Sequence, residues 1–269
     1  MSENLLQEIN SKVVAPGTIS AWWLSGSGFV FKTPSGTQIL IDPYLSDSVR
    51  ALFDLGRAVP IPIAPEELRP DTVICTHWHE DHLDPGTIPV IARHSPDTQF
   101  FMPFSAFSRA IGWGVPRAKI TTLAWGEKIE IGDVEMEAVF ARHDAGIPGW
   151  AAPDAIGVVL KIGDVTIYHS GDTEHDARLR NLKTRNLDAA MLCINGVTGN
   201  MNAHEAALLA WQIEAKTAIP IHHVLWDSNS YEEATLDPNL FADTFAKLSG
   251  TGRAILPEVG QEIIIGGAP

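Results

Sequence analysis

The segment Thr76-His77-Trp78-His79-Glu80-Asp81-His82 constrains this chain more than any other. It follows the apolar run TVIC directly, so three histidines and two acids crowd the mouth of what reads as a buried strand. Imidazole is a neutral nitrogen donor and carboxylate a hard oxygen donor. Together they suit zinc, manganese or iron. His77 and His79 stand at i and i+2, which puts both rings on one face of an extended segment. A turn then brings Asp81 and His82 to a second position, so the spacing suggests two metal sites rather than one. The plain alternative is a solvated polar turn. It is disfavoured because loops carrying such clusters are usually metal or catalytic sites.

The rest of the chain reads as strands that alternate with helices. ENLLQEINSK has helical spacing at Leu5, Leu6 and Ile9, and VAPGT breaks it, giving a terminal helix and extension over about residues 1–17. ISAWWL, GFVFKT and TQILID follow, separated by the turn signals Gly26-Ser27-Gly28 and Ser35-Gly36. VPIPIAPEELRP reads as an ordered surface loop. Strand–helix units come next: DTVICT with a helix after Asp84-Pro85 to about Arg93, then TQFFM with SAFSRAIG, closed by Gly112. A second β-rich stretch runs from KITTL to VTIYHSG, with hairpin signals at Gly132-Asp133 and Gly163-Asp164. DAAMLCIN then leads to the helix AHEAALLAWQIEA, where Asn202 and Glu205 have the spacing of a capping box. TAIPI, a helix near PNLFADTFAKL, RAILP and EIIIG finish the chain. Two β-rich layers flanked by helices predict an α/β protein, an αββα four-layer sandwich in a single domain over residues 1–269.

Composition removes other classes. Lys+Arg number 19 against 33 Asp+Glu, a net charge of −14, which disfavours long nucleic acids as partners. No apolar run has the length of a bilayer span, and MSENLLQEINSK is acidic where a leader would be basic, so the expectation is a cytoplasmic protein with no membrane partner. Cys75 and Cys193 both sit in apolar β-type runs and read as buried free thiols. The apolar terminal helix leaves a homo-oligomer open.

The His-x-His-x-Asp-His string, behind a β-meander that ends in Ile-Asp-Pro, resembles the metallo-β-lactamase superfamily. Three further stretches fit that family in order: AVFARHDAG with His143, YHSGDT with Asp172, and AIPIHH with His222. VAPGT with AWWL, GWGVP, YHSGD and IPIHH followed by Trp226 are most similar to the L-ascorbate-6-phosphate lactonase group. The resemblance implies two divalent metal ions, zinc or manganese with iron as a third option. His77, His79 and His143 would hold one, Asp81, His82 and His222 the other, and Asp172 would bridge them. It implies a hydrolase that uses a metal-bridging hydroxide, with Asp81 and Asp172 as the catalytic carboxylates.

The expected substrate is a small, anionic molecule, a lactone or sugar-acid derivative. A phosphodiesterase acting on a small nucleotide or an RNA end is the second reading. A non-catalytic metal-binding protein is the third. His223 adjoins His222, and only one of such a pair normally points into a site, so His223 is a substrate candidate. Trp78, Trp150 and Trp226 lie on loops beside ligand positions as candidate pocket walls, with Arg142 and His175 as further substrate contacts. The loop Asp144–Asp154 is a candidate rim. Asp42 is placed to orient a ligand imidazole. His169, Trp22, Trp23 and Trp125 read as core, and Glu80 as solvated.

Overall fold

A computed structural model describes residues 2–144, 146–147, 149–227 and 237–267. Strands β1 (Thr18–Trp23), β2 (Phe29–Lys32), β3 (Gln38–Ile41), β4 (Thr72–Ile74), β5 (Gln99–Met102) and β6 (Ile120–Thr122) make one sheet in sequence order. Strands β7 (Lys128–Ile131), β8 (Val134–Phe140), β9 (Ile156–Ile162), β10 (Val165–His169), β11 (Ala189–Cys193), β12 (Thr217–Ile221) and β13 (Arg253–Ala254) make the second. The last strand, β14 (Glu262–Gly266), crosses back and pairs antiparallel with β1.

The two sheets repeat one plan. The first runs antiparallel through β3 and parallel from β3 to β6. The second runs antiparallel through β10 and parallel from there to β13. Parallel pairing needs crossovers, and helices supply most of them. These are α3 (Ile88–His94) and α4 (Phe104–Gly112) in the first half, and α5 (Ala203–Gln212) and α6 (Pro238–Leu248) in the second; α1 (Ser2–Ser11) and α2 (Ser48–Phe53) precede them.

Side-chain alternation sets the layers. Phe29 and Phe31 of β2 join the core between the sheets, whereas Val30 between them faces the cluster under α1, α3 and α4. The same split separates Ile39 and Ile41 from Leu40 in β3. β11 and β12 are buried throughout because the first sheet covers one face and α5 the other. The expected αββα sandwich is the architecture observed.

Local signals explain the helices. Asn202 accepts from the backbone N–H groups of His204 and Glu205, and the Glu205 carboxylate accepts from Asn202 N, closing the capping box. α1 turns its apolar face inward: Leu5 and Ile9 are buried in its own fold, and the Lys32 ammonium donates to the terminal carbonyls of Ile9 and Asn10. That apolar face is therefore already used within the chain. Trp125 departs from the core expectation. It is 46% exposed, held at the surface by its indole N–H donating to Ala155 O.

Candidate metal centre

Each predicted polar stretch follows the C-terminal end of a strand. β4 leads through Cys75 and Thr76 to His77, β8 to His143, β10 to Asp172 and β12 to His222. Facing the two sheets brings these four ends together. The ring nitrogens of His77, His79 and His143 form one group, and the ligand atoms of Asp81, His82 and His222 a second, each within 4.8 Å. His77, His82 and Asp172 form a third group of the same size, so Asp172 links the other two.

The outward nitrogen of four of these rings has a fixed partner, and this decides what the inward one can do. His79 Nε2 donates to Trp150 O at 2.8 Å, and His143 Nδ1 donates to Gly199 O at 3.1 Å. The Thr76 hydroxyl donates to Asp42 Oδ2 and so accepts from His77 Nδ1 at 3.1 Å. His82 Nδ1 donates to Asp42 Oδ2 at 2.8 Å. In neutral rings, the protons so placed leave His77 Nε2, His79 Nδ1, His143 Nε2 and His82 Nε2 as lone pairs. Yet His79 Nδ1 lies 2.9 Å from His77 Nε2 and 3.1 Å from His143 Nε2. Three facing lone pairs have no proton to share, whereas a cation satisfies all of them. The residues present fit a metal ion.

The second group is richer in acid. His222 Nε2 lies 3.2 Å from Asp81 Oδ2 and 3.3 Å from Asp172 Oδ2. His82 Nε2 lies 3.4 Å from Asp172 Oδ1 and 3.3 Å from His222 Nε2. Asp172 Oδ1 is buried with no hydrogen-bond partner among the described residues, while Asn200 Nδ2 donates to Oδ2 at 2.7 Å.

The electrostatics differ between the groups. Burial, helped by the neighbouring rings, holds His77 well below the usual imidazole range and His79 down to about 4. Burial acts the same way on His82 and His222, but Asp172 and Asp81 outweigh it, raising His82 well up and His222 to about 10. For the two acids burial is outweighed by these histidines, which brings Asp81 to about 2 and Asp172 well below the carboxylate range. Without metal, protons on His82 and His222 therefore balance the acids. Burial also pushes the Cys193 thiol up to about 12 and Cys75 well above its ordinary value, so neither supplies a thiolate.

A cavity of about 440 Å³ opens beside the cluster, with His79, Asp81, Asp172 and His222 in its wall. Of the substrate candidates, Trp150, Trp226 and His223 line it. Trp78 does not: it is buried beneath the Arg109 guanidinium at 3.8 Å, its indole N–H donating to Ala151 O. Arg142 turns to Glu174 at 3.1 Å, and His175 pairs with Gln212 at 3.1 Å. Neither is among the lining residues. Glu80 is not solvated but paired with Arg109 at 2.9 Å. His169 is a core residue, tying β10 to the first sheet through Ser27 O. Of the predicted rim, Ala145 and Pro148 lie outside the described residues, while Ile147 and Trp150 line the cavity.

Sequence reasoning missed Asn200, Asn195 and α2. Asn200 and Asn195 stand in a polar loop whose spacing carries no metal signature. α2 brings Val49 and Phe53 to the wall. Its pattern at Val49 and Phe53 is a single i, i+4 pair, too short to identify a helix.

The comparisons agree with this geometry. Residues 21–222 match the family model described as beta-lactamase superfamily domain. The probable L-ascorbate-6-phosphate lactonase UlaG of Escherichia coli strain SMS-3-5 is 26% identical over 264 residues, covering 83% of this chain and 75% of the relative. Among solved structures, Igni18, a metallo hydrolase from Ignicoccus hospitalis, superposes with TM-score 0.69 at 20% identity, covering 92% of this chain and 98% of that one. The isothiocyanate hydrolase from Delia radicum gut bacteria gives TM-score 0.69 at 19% identity, covering 91% and 98%. Fold, ligand order and family model converge: this chain belongs to the metallo-β-lactamase superfamily.

Proposed function

We propose that the protein is a dinuclear metal-dependent hydrolase of small molecules, acting on a lactone or related ester bond. The observation that carries this reading is the set of facing lone pairs at His77, His79 and His143, joined through Asp172 to a second group at Asp81, His82 and His222. The all-nitrogen-and-oxygen donor set suits zinc or manganese, and also iron. Two such ions, when bound, would lower the pKa of water from about 15.7 towards about 7 and draw electron density from a substrate oxygen.

The chain's own residues do the rest. Asp42 and Thr76 hold the rings of His77 and His82 at fixed angles. Asn200 clamps one oxygen of Asp172, and the other has no hydrogen-bond partner among the described residues. Asp81 and Asp172 lie at the cavity wall as carboxylates, placed to orient a water and to take its proton. The similarity to a probable L-ascorbate-6-phosphate lactonase supports the lactone class.

The test is turnover by zinc- or manganese-loaded protein of a lactone panel against bis(4-nitrophenyl) phosphate. Lactone opening is expected, with loss of about a thousandfold or more in Asp172→Ala and His79→Ala at retained circular dichroism. Phosphodiester cleavage with lactones untouched favours the phosphodiesterase reading. Near wild-type rates in either variant remove the site.

A further inference from the structure

The cavity wall is chemically one-sided. Val49, Phe53, Leu55, Ile147, Val224 and Leu225 join Trp150 and Trp226 around it. Phe53, Ile147 and Val224 are 40%, 47% and 43% exposed, and the Phe53 and Trp150 rings meet at 5.2 Å across the mouth. Large apolar groups left in water at the rim of a site mark a hydrophobic ligand.

Away from the metal-ligand group, positive charge is missing from the same wall. Among the described residues no lysine or arginine lines the cavity; its charged members are Glu80 and, in the metal-ligand group, Asp81, Asp172 and the protonated His222 that balances them. Three arginines are already engaged. Arg57 donates to Tyr44 O and Ser25 Oγ, Arg109 pairs with Glu80, and Arg142 pairs with Glu174. Arg50 lies 3.8 Å from Asp227. Residues 228–236, SNSYEEATL, contain no lysine or arginine either. A phosphate or carboxylate on the far end of a substrate would enter an apolar wall with no counter-charge, which is costly.

Two polar wall atoms have no partner among the described residues. His223 donates Nε2–H to Pro220 O at 3.1 Å and its ring lies tilted against Trp23, which leaves Nδ1 as a buried lone pair. Asn195 Oδ1 is buried and unpartnered in the same wall. A buried acceptor without a donor is costly, and a ligand O–H or N–H satisfies it.

We infer that the substrate is an uncharged compound with an alkyl or aryl body and a hydroxyl or N–H donor that reaches His223 Nδ1 or Asn195 Oδ1. This inference rests on the hydrolase reading for the bond that is cut, and it replaces the expectation of an anionic substrate.

Three γ-lactones of equal chain length test it: one with a plain alkyl tail, one with a hydroxyl on the tail, one whose tail ends in a carboxylate. Binding to the metal-free protein is read by quenching of tryptophan fluorescence, and kcat/KM is measured on the zinc-loaded protein. Expected is tightest binding by the hydroxylated lactone, then the plain one, with the carboxylate at least about tenfold weaker and the difference carried by KM. In Phe53→Arg, at an exposed position of α2, the carboxylate penalty shrinks by about tenfold. Carboxylate binding equal to or tighter than the plain lactone, or an unchanged penalty in Phe53→Arg, overturns the uncharged class. Equal binding of plain and hydroxylated lactones overturns the donor assignment. If the neutral lactones bind in the expected order but none is opened, the hydrolase reading fails while the inference about the wall stands.

Discussion

Asp42 shows how much one residue determines here. It is fully buried and accepts from Thr76 N and Thr76 Oγ1, each at 2.7 Å, and from His82 Nδ1 at 2.8 Å. Through these bonds it sets which nitrogen of His82 and, by way of the Thr76 hydroxyl, which nitrogen of His77 faces the cluster. Asp42→Ala is expected to lower stability by about 2–4 kcal/mol, because three buried donors lose their acceptor. It is also expected to weaken zinc binding about 10–100-fold. Urea denaturation and a chelator-competition titration check the two effects, and unchanged zinc affinity would deny Asp42 its orienting role. The seven candidate ligands were legible in the chain because they follow apolar runs and four of them share one dense string. The residues that fix their geometry were only partly legible. Asp42 stands out in Ile-Asp-Pro, but Asn200 lies far along the chain in a loop without spacing, and only the fold brings it to Asp172.

At the scale of elements, the turn after β10 joins the two sheets. Gly171 adopts φ +55, and a Cβ there would stand 2.8 Å from both Cβ and Oγ1 of Thr76. The tight turn lets the end of β10 rest against the end of β4, which sets Asp172 beside His82. Gly171→Ala therefore carries two penalties, a left-handed backbone and a clash with the residue that orients His77. It should cost about 2–4 kcal/mol by urea denaturation and reduce metal occupancy, while Gly36→Ala, with φ +94 but open space around it, should leave occupancy intact. Equal occupancy in both variants would mean that the close approach does not position the site. The strands were legible from apolar runs bounded by Gly and Asp turns. α2 was not, since six residues without a capping side chain give no periodic signal. It nevertheless supplies Phe53 to the cavity, so the wall on which the proposed substrate class rests is the part least visible in the sequence.

For the whole molecule, the two ligand groups give a pH profile of stability with two limbs. His79 has a pKa of about 4 in the folded protein against 6.5 for a free imidazole, and His77 is lowered too. Below that ordinary value the unfolded chain binds these protons and the folded one does not, so stability falls with pH through that window. His82 and His222 behave oppositely. Their folded values are raised, His222 to about 10, so their contribution is full below 6.5 and is lost as pH rises towards that value. Metal-free protein should thus show a maximal thermal midpoint near pH 6.5, with a decline on either side. Zinc should suppress the alkaline decline by taking the place of the protons on His82 and His222. A flat profile between pH 5 and 9 in chelator would contradict the assignment of both groups.

The paired sheets, the four strand ends and the compensating charges all lead to one count, the number of ions a chain holds. Metal-free protein saturated with zinc, dialysed and measured by inductively coupled plasma mass spectrometry tests it most directly. Close to two zinc ions per chain are predicted, falling to about one when Asp81→Ala and His222→Ala are combined, since the group at His77, His79 and His143 is left intact. One ion or fewer in the unaltered protein, or no loss in the double variant, would contradict the dinuclear centre.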